Sequence, residues 1–176
     1  QVEIRGETGQ VVRLARAAAA RHGPAGPGQV SSSTSLAGDM AGSGEFSLDR
    51  IDHDPTVPWT DYVRGMALYL EEAGHRLTGF DGLIHSTVPF ASGLSSSSAL
   101  TVACALALSS MNGLHYPPVE LAHLCGEAEW YVGTRGGVMD QFVCIMAQRD
   151  HALLLDCRPQ VDGAGGHSYI TRQIPL

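Results

Sequence analysis

The chain has 176 residues and a net charge of -7, with 44% hydrophobic and 6% aromatic residues, which suits one globular domain or a large part of one. All 11 basic residues are arginine, so every site that depends on lysine is excluded. The acidic balance argues against a nucleic-acid partner, because nucleic-acid binding needs clustered positive charge. The sequence shows neither an apolar run of membrane-spanning length nor a signal peptide, so we expect a cytoplasmic protein with no membrane partner.

The cysteines form neither a CxxC pair nor a spacing typical of zinc ligands. Three of the four lie in apolar stretches. We therefore expect reduced, buried thiols at Cys104, Cys125, Cys144 and Cys157.

The first 44 residues are predicted to form a variable region of strands and loops. The stretches VEIR at 2–5 and QVVRLAR at 10–16 are typical of a hairpin with a GETG turn, although the alanines at 17–20 would equally extend a helix. Residues 22–44 are rich in Gly, Ser and Pro without periodicity, which indicates a surface loop or a poorly ordered segment.

The central part of the chain predicts a strand, a helix and a second strand. EFSLDRI at 45–51 alternates apolar and polar residues as a strand does. From Trp59 onward apolar residues recur at helical spacing, and Gly74 is placed to end that amphipathic helix. GFDGLIHSTVP at 79–89 then predicts a strand.

Three helices and a further strand are predicted next. ALTVACALALSSM at 99–111 is apolar on every face, which predicts a helix buried in the middle of the domain. A second helix covers 117–132 and starts with two prolines, where a missing N–H does no harm. After the turn GTRGG, residues 138–148 predict a short helix and residues 151–157 a strand.

The stretch VPFASGLSSSSAL at 88–100 permits several interpretations. A flexible linker would lead into polar sequence, whereas this stretch runs into an apolar helix. A nucleophile elbow needs a second glycine where Ser97 stands, and a Walker A loop needs a lysine that the chain lacks. A phosphate-binding helix N-terminus remains, with unpaired backbone N–H groups and serine hydroxyls facing the ligand. The alternative is simple helix capping, for which one serine suffices.

Two motifs in the chain resemble those of the GHMP kinases, the family of galactokinase, homoserine kinase and mevalonate kinase. P-x-x-x-G-L-S-S-S-S-A at 89–99 is similar to the second motif of the family, and residues 127–158, with GVMDQ and DCR, resemble the galactokinase branch. W-x-x-Y-V-x-G at 59–65 fits the same branch. The resemblance spans residues 45–160 and implies an α+β fold, the GHMP kinase N-terminal domain, with a mixed sheet packed against helices.

The resemblance also implies roles for individual residues. Asp140 matches the residue that activates or orients the anomeric hydroxyl of the sugar, and Gly137 matches a backbone contact to the sugar. Ser97 is the first choice and Ser96 the second for a ligand of Mg²⁺, while Glu129, or alternatively Glu127, completes the metal site. The implied nucleotide loop comprises Ser92, Gly93, Leu94, Ser95, Ser96, Ser97 and Ser98. Trp59 and Tyr62 are either walls of the adenine pocket or core residues.

The position of Asp140 has an independent physical basis. It lies at the start of a predicted helix, where the helix dipole favours an ionised carboxylate. A first-turn acid placed only for helix stability is the alternative.

The sequence departs from the galactokinase pattern in two respects. GTRGG replaces a Cys-Gly pair and is closer to N-acetylgalactosamine kinases, so galactose, its N-acetylamino relative and arabinose all remain candidate substrates. The first motif, which supplies a catalytic arginine, and the C-terminal domain do not occur in the chain. Residues 45–176 are therefore expected to be a partial ATP-binding domain and the chain an internal fragment.

Two hypotheses about function follow from the resemblance. In the first, the parent protein is a sugar 1-kinase that uses ATP and Mg²⁺. In the second, the chain is a non-catalytic sugar- or nucleotide-binding module, or an inactive fragment of a galactokinase. The oligomeric state cannot be predicted from the sequence.

Overall fold

The computed structural model of the chain describes residues 2–6, 11–16, 42–86, 88–89, 93–161 and 167–176. The strands are β1 (Val2–Gly6), β2 (Val11–Arg16), β3 (Gly42–Ser47), β4 (Phe80–Ile84), β5 (His151–Val161) and β6 (His167–Pro175). The α-helices are α1 (Asp61–Glu72), α2 (Ser96–Met111), α3 (Pro118–Tyr131) and α4 (Met139–Met146), and a 3-10 turn at Pro58–Thr60 leads into α1.

The first four strands form one mixed sheet in the order β1-β4-β2-β3. β4 runs parallel to β2 and antiparallel to β1, with Val12 opposite Phe80 and Val2 opposite Ile84. The predicted β1–β2 hairpin is wrong, because β4 lies between the two strands. Residues of β4 alternate in burial, so its apolar face covers the core while its two edges pair with neighbours that are distant in sequence. The mixed sheet itself is confirmed.

The predicted helices are all present, and α2 lies at their centre. It contacts α1, α3, α4 and β1, as expected for a helix that is apolar on all faces. One position departs from this pattern, since Leu106 is 51% exposed. The helix begins at Ser96, so the serines occupy its first turn as predicted.

Helices α1 and α3 approach each other closely at Gly65. A Cβ atom on Gly65 would lie 2.6 Å from the carbonyl oxygen of Ala128 and 2.8 Å from Cβ of Tyr131. Only a residue without a side chain fits such a crossing. Helix α1 ends before Gly74, whose φ of +93° is accessible to glycine at little cost.

The strands β5 and β6 form a separate antiparallel pair that contacts α4. The ring of Tyr169 in β6 packs at a tilt against Phe142, with ring centroids 5.0 Å apart, and Gln173 Nε2 donates to the carbonyl oxygen of Met146 at 2.7 Å. No element was predicted for β6. Polar and apolar residues fall on both of its faces, so its sequence lacks the alternation of a half-buried strand.

The cysteine prediction is correct for two residues and wrong for the other two. Cys104 and Cys125 are buried, whereas Cys144 and Cys157 are exposed, and all four are free thiols. Cys144 lies on the exposed side of the short helix α4, and Cys157 lies on β5 of the two-stranded sheet. Within the described ranges, no helix is both long and apolar enough to cross a membrane.

The proposed division of the chain at residue 44 stays a prediction. The backbone of β1 and β2 joins the same sheet as β3 and β4. Most of residues 17–44, including the Gly- and Ser-rich stretch, lie outside the described residues.

Candidate active site

The loop before α2 has a backbone shape suited to binding an anion. Gly93 has φ +73°, and Ser95 has φ 53° and ψ 42°, which is the left-handed conformation. A left-handed residue followed by a right-handed helical one turns successive N–H groups toward a common point, which is an anion-binding arrangement. The hydroxyl of Ser95 makes no capping hydrogen bond. Helix capping by Ser95 therefore does not account for the serines.

The residues of the predicted nucleotide loop differ in exposure. Ser92 lies outside the described residues. Gly93 and Leu94 are exposed, and the Leu94 side chain is 62% accessible, which leaves its backbone as the part suited to a phosphate. Ser95, Ser96 and Ser97 are half-buried. Ser98 is buried and points between the helices.

A buried polar cluster joins three helices beneath this loop. We use the name three-helix polar cluster for Ser98 of α2, Glu129 of α3 and Gln141 of α4. Gln141 Nε2 donates to Glu129 Oε1 at 3.1 Å and to Ser98 Oγ at 3.3 Å. All three side chains are less than 10% exposed (3%, 6% and 2%, respectively). The cluster brings the serine helix, the glutamate helix and the helix of Asp140 to one place.

Of the two candidate glutamates, Glu129 faces the serines. Glu127 is exposed, because residues two apart on a helix point to opposite sides. Burial raises the pKa of Glu129, and the negative charge of Asp140 adds to this effect. Hydrogen bonds from Ser98 and Gln141 oppose the rise in pKa. A buried carboxylate in this state gains from a nearby cation.

Asp140 and Gly137 lie on the open side of the same site. Asp140 is half-buried in the first turn of α4, as predicted, and is close enough to Glu129 to affect its pKa. Gly137 is exposed, and a Cβ atom there would meet no atom of the described residues within 4 Å. The described part of the chain thus leaves space for a side chain at residue 137, so a need for glycine would have to come from a ligand.

Trp59 is a core residue. Its side chain is 2% exposed and belongs to the hydrophobic core with Val63 and Met66. Of the two interpretations that the sequence left open, burial favours core packing over contact with adenine. Tyr62 is half-buried beside Glu129. Burial raises the pKa of Tyr62, and the negative charge of Glu129 raises it further.

The oxygen atoms gathered here fit a magnesium ion. Carboxylate and hydroxyl oxygens of Glu129, Asp140 and the serines are the ligand type that Mg²⁺ prefers. The buried Oε1 of Gln141 has no hydrogen-bond partner among the described residues. In the same part of the chain no three His, Cys, Asp or Glu residues form a metal-binding group. Mg²⁺ is commonly held by only one or two carboxylates together with phosphate oxygens and water.

No role was predicted for Gln141, the last residue of the GVMDQ motif. A polar residue directly after Asp140 in a short apolar helix was the available signal. Its partners are distant in sequence, at separations of 12 and 43 residues, so periodicity could not identify them.

The chain is similar in sequence and fold to proteins of known family. The family model for the GHMP kinases N terminal domain matches residues 61–148. The galactokinase of Roseiflexus sp. (strain RS-1) is 44% identical over 124 residues, which is 70% of this chain and 32% of that protein. The galactokinase of Thermotoga maritima is 42% identical over 99 residues, covering 56% and 28%, respectively. The chain thus spans about a third of the length of these curated relatives.

Solved structures show the same relationship. Lactococcus lactis galactokinase complexed with galactose superimposes with a TM-score of 0.74 and 28% identity over 99% of this chain and 38% of that one. Methanococcus jannaschii mevalonate kinase has a TM-score of 0.57 at 18% identity over 82% of this chain and 40% of that one, and therefore shows a common fold alone. The expected fold class and the resemblance to the galactokinase branch are confirmed. The chain belongs to the GHMP kinase family.

Proposed function

We propose that this chain contributes the ATP-binding domain of a galactokinase-like sugar kinase. The proposed reaction transfers the γ-phosphoryl group of ATP to the anomeric hydroxyl of galactose or a close relative. The observation that carries the proposal is the three-helix polar cluster, which lies next to both the serine loop and Asp140. The galactokinase names of the most similar relatives support the choice of substrate class.

The serine loop is proposed to hold the triphosphate. Backbone N–H groups at the start of α2 and the positive end of the helix dipole favour phosphate oxygens. Glycine at residue 93 allows the backbone to come close to the ligand. Phosphoryl transfer depends mainly on such positioning and on charge neutralisation, because the protein supplies little covalent chemistry.

Glu129 and the hydroxyl of Ser97 or Ser98 are proposed to hold Mg²⁺. The ion would neutralise charge on the phosphates when bound. Ser97 was the choice from sequence, and it stays a prediction. Ser98 is the serine whose hydroxyl lies in the polar cluster, so the structure adds it as a candidate.

Asp140 is proposed to accept the proton of the sugar hydroxyl. As the new bond forms between that oxygen and the γ-phosphorus, the bond from phosphorus to the oxygen of ADP breaks and the proton moves to the carboxylate. Gly137, three residues earlier, is proposed to lie against the sugar, because no described residue would contact a Cβ atom there.

An assay of ADP formation tests this function. The full-length gene product is expected to consume ATP with at least one of galactose, N-acetylgalactosamine and arabinose. Asp140→Ala is expected to lower turnover by about 10²–10⁴-fold because the proton acceptor is lost. Binding of Mg-ATP, measured by calorimetry, should change little.

Asp49→Ala serves as the control, because Asp49 is an exposed carboxylate in the loop after β3. Turnover at the wild-type rate in Asp140→Ala would remove Asp140 from its role. Wild-type protein that binds a sugar or ATP and forms no ADP with any of the three sugars would support the alternative of a non-catalytic binding module.

A further inference from the structure

Gln141 lies beside the proposed catalytic carboxylate, yet its side chain points into the protein. It follows Asp140 in the first turn of α4 and is only 2% exposed. A side-chain amide nitrogen carries two hydrogens. One is donated to Glu129 and the other to Ser98, so the donor capacity of Gln141 is fully used.

The hydrogen bond from Gln141 to Glu129 restricts the orientation of the Glu129 carboxylate. A carboxylate oxygen that accepts a fixed N–H can no longer rotate freely, and its other lone pairs are left for a different partner. The same amide joins α2 to α4, and therefore joins the serine loop to the helix that carries Asp140. No comparable hydrogen bond between α2 and α4 occurs elsewhere among the described residues.

We propose that Gln141 is a positioning residue that orients the Glu129 carboxylate toward the metal ion and holds the helix of Asp140 in register with the serine loop. The metal part of this inference rests on the proposed kinase function. Gln141 itself does not touch the substrate. It acts through Glu129 and through the position of α4.

A purely structural role does not account for an amide at this place. The Oε1 atom of Gln141 is buried without a hydrogen-bond partner in the described part of the chain, which is unfavourable. A methionine would fill the same space between helices without burying an unpaired oxygen. The amide is therefore best explained by what its nitrogen does for Glu129 and Ser98.

Gln141→Met tests the proposal, because methionine has a similar length and no donor. In the full-length protein with ADP present, we expect the affinity for Mn²⁺, measured by electron paramagnetic resonance, to fall about 10–100-fold, as is usual when an outer partner of a metal ligand is lost. In turnover, kcat at limiting Mg²⁺ should fall and should recover partly in excess Mg²⁺. The KM for the sugar should stay the same.

Gln173→Met is the matched control. Gln173 also donates an amide hydrogen to α4, at the carbonyl oxygen of Met146, but it lies outside the polar cluster. This variant should lose stability and keep the wild-type affinity for Mn²⁺. Equal weakening of Mn²⁺ binding in both variants would overturn the proposal, because any loosening of α4 would then suffice.

Unchanged Mn²⁺ affinity in folded Gln141→Met would also overturn the proposal. If that variant fails to fold, Gln141→Asn, which keeps an amide but has a shorter reach, should show the same loss of affinity. Mn²⁺ binding does not depend on turnover. Wild-type protein that binds Mn²⁺ but phosphorylates no sugar would therefore contradict the kinase function alone, whereas wild-type protein without Mn²⁺ affinity would contradict both.

Discussion

Glu129 is held in surroundings that disfavour its charge. Burial raises its pKa above the ordinary value of 4.5, and Asp140 adds to the effect. In the unfolded chain the carboxyl ionises near pH 4.5, whereas in the folded chain it retains its proton to higher pH. Its contribution to stability is therefore full below pH 4.5 and is lost as pH rises through the folded pKa. At neutral pH the buried, ionised carboxyl of Glu129 therefore lowers the stability of the folded protein.

Glu129→Gln is accordingly expected to stabilise the metal-free protein at pH 7. The glutamine removes the buried charge and can still accept the hydrogen bond from Gln141. We expect Tm to rise by about 2–4 °C for each kcal/mol gained. The gain should disappear near pH 4, where the glutamate is protonated in both states. Thermal unfolding at the two pH values gives the measurement, and a lower Tm for the variant at pH 7 would contradict this account.

The backbone of Ser95 is a second feature that lowers the stability of the folded protein. A non-glycine residue in the left-handed conformation is less stable by about 1 kcal/mol or more, and such strain is found mainly at binding and catalytic sites. The strained backbone of Ser95 and the buried carboxylate of Glu129 belong to the same candidate site. Selection for stability alone would remove both features.

At the level of elements, the packing of α1 against α3 depends on Gly65. Gly65 closes the W-x-x-Y-V-x-G segment at 59–65, in which Trp59 and Gly65 both serve core packing. A methyl group at residue 65 would overlap the carbonyl of Ala128, which belongs to a helix backbone and cannot move by itself. The helices would have to separate.

Gly65→Ala is therefore expected to destabilise the protein by about 1–3 kcal/mol, even though alanine favours helix formation. Chemical denaturation measures the change. Gly136→Ala is the control, because a Cβ atom there meets no described residue within 4 Å, and its effect should stay within about 0.5 kcal/mol. A Gly65 variant as stable as the control would show that α1 and α3 can adjust.

At the scale of the whole molecule, Arg64 connects the four-stranded sheet to the helices. Its side chain is 5% exposed and lies over the ring of Phe46, 4.7 Å from the centroid. The guanidinium donates to Glu45 O at 3.0 Å, to Asp52 O at 2.9 Å and to Thr60 Oγ1 at 3.1 Å. Strand β3, the loop that follows it and α1 thus share one buried cation.

Arg64→Met should lower the free energy of unfolding by about 3–5 kcal/mol, because it leaves carbonyls and the nearby carboxylates of Asp54 and Asp61 without the cation. Arg50→Met is the matched control. Arg50 pairs with Asp52 at the surface, with side chains 83% and 62% exposed, so its loss should cost about 0–1 kcal/mol. Equal denaturation midpoints for the two variants would contradict a special role for Arg64.

Local sequence patterns predicted most elements of this molecule. The spacing of apolar residues predicted α1, the uniform apolar character of residues 99–111 predicted the central helix α2, and Gly74 marked the end of α1. These patterns involve residues within one or two helical turns of each other, so the sequence alone is enough to predict them. The serine stretch before α2 could be identified as a helix N-terminus for the same reason.

By itself, the sequence determined that these 176 residues supply no lysine to a site, where the helices form and that serines begin the central one. Only the tertiary structure decided that β4 separates β1 from β2, that Glu129 and not Glu127 faces the serines, and that Gln141 joins them. The physical reason is the distance along the chain: strand order and the polar cluster depend on contacts between residues far apart in sequence. Ser98 and Gln141 are 43 residues apart and meet only because three helices pack together.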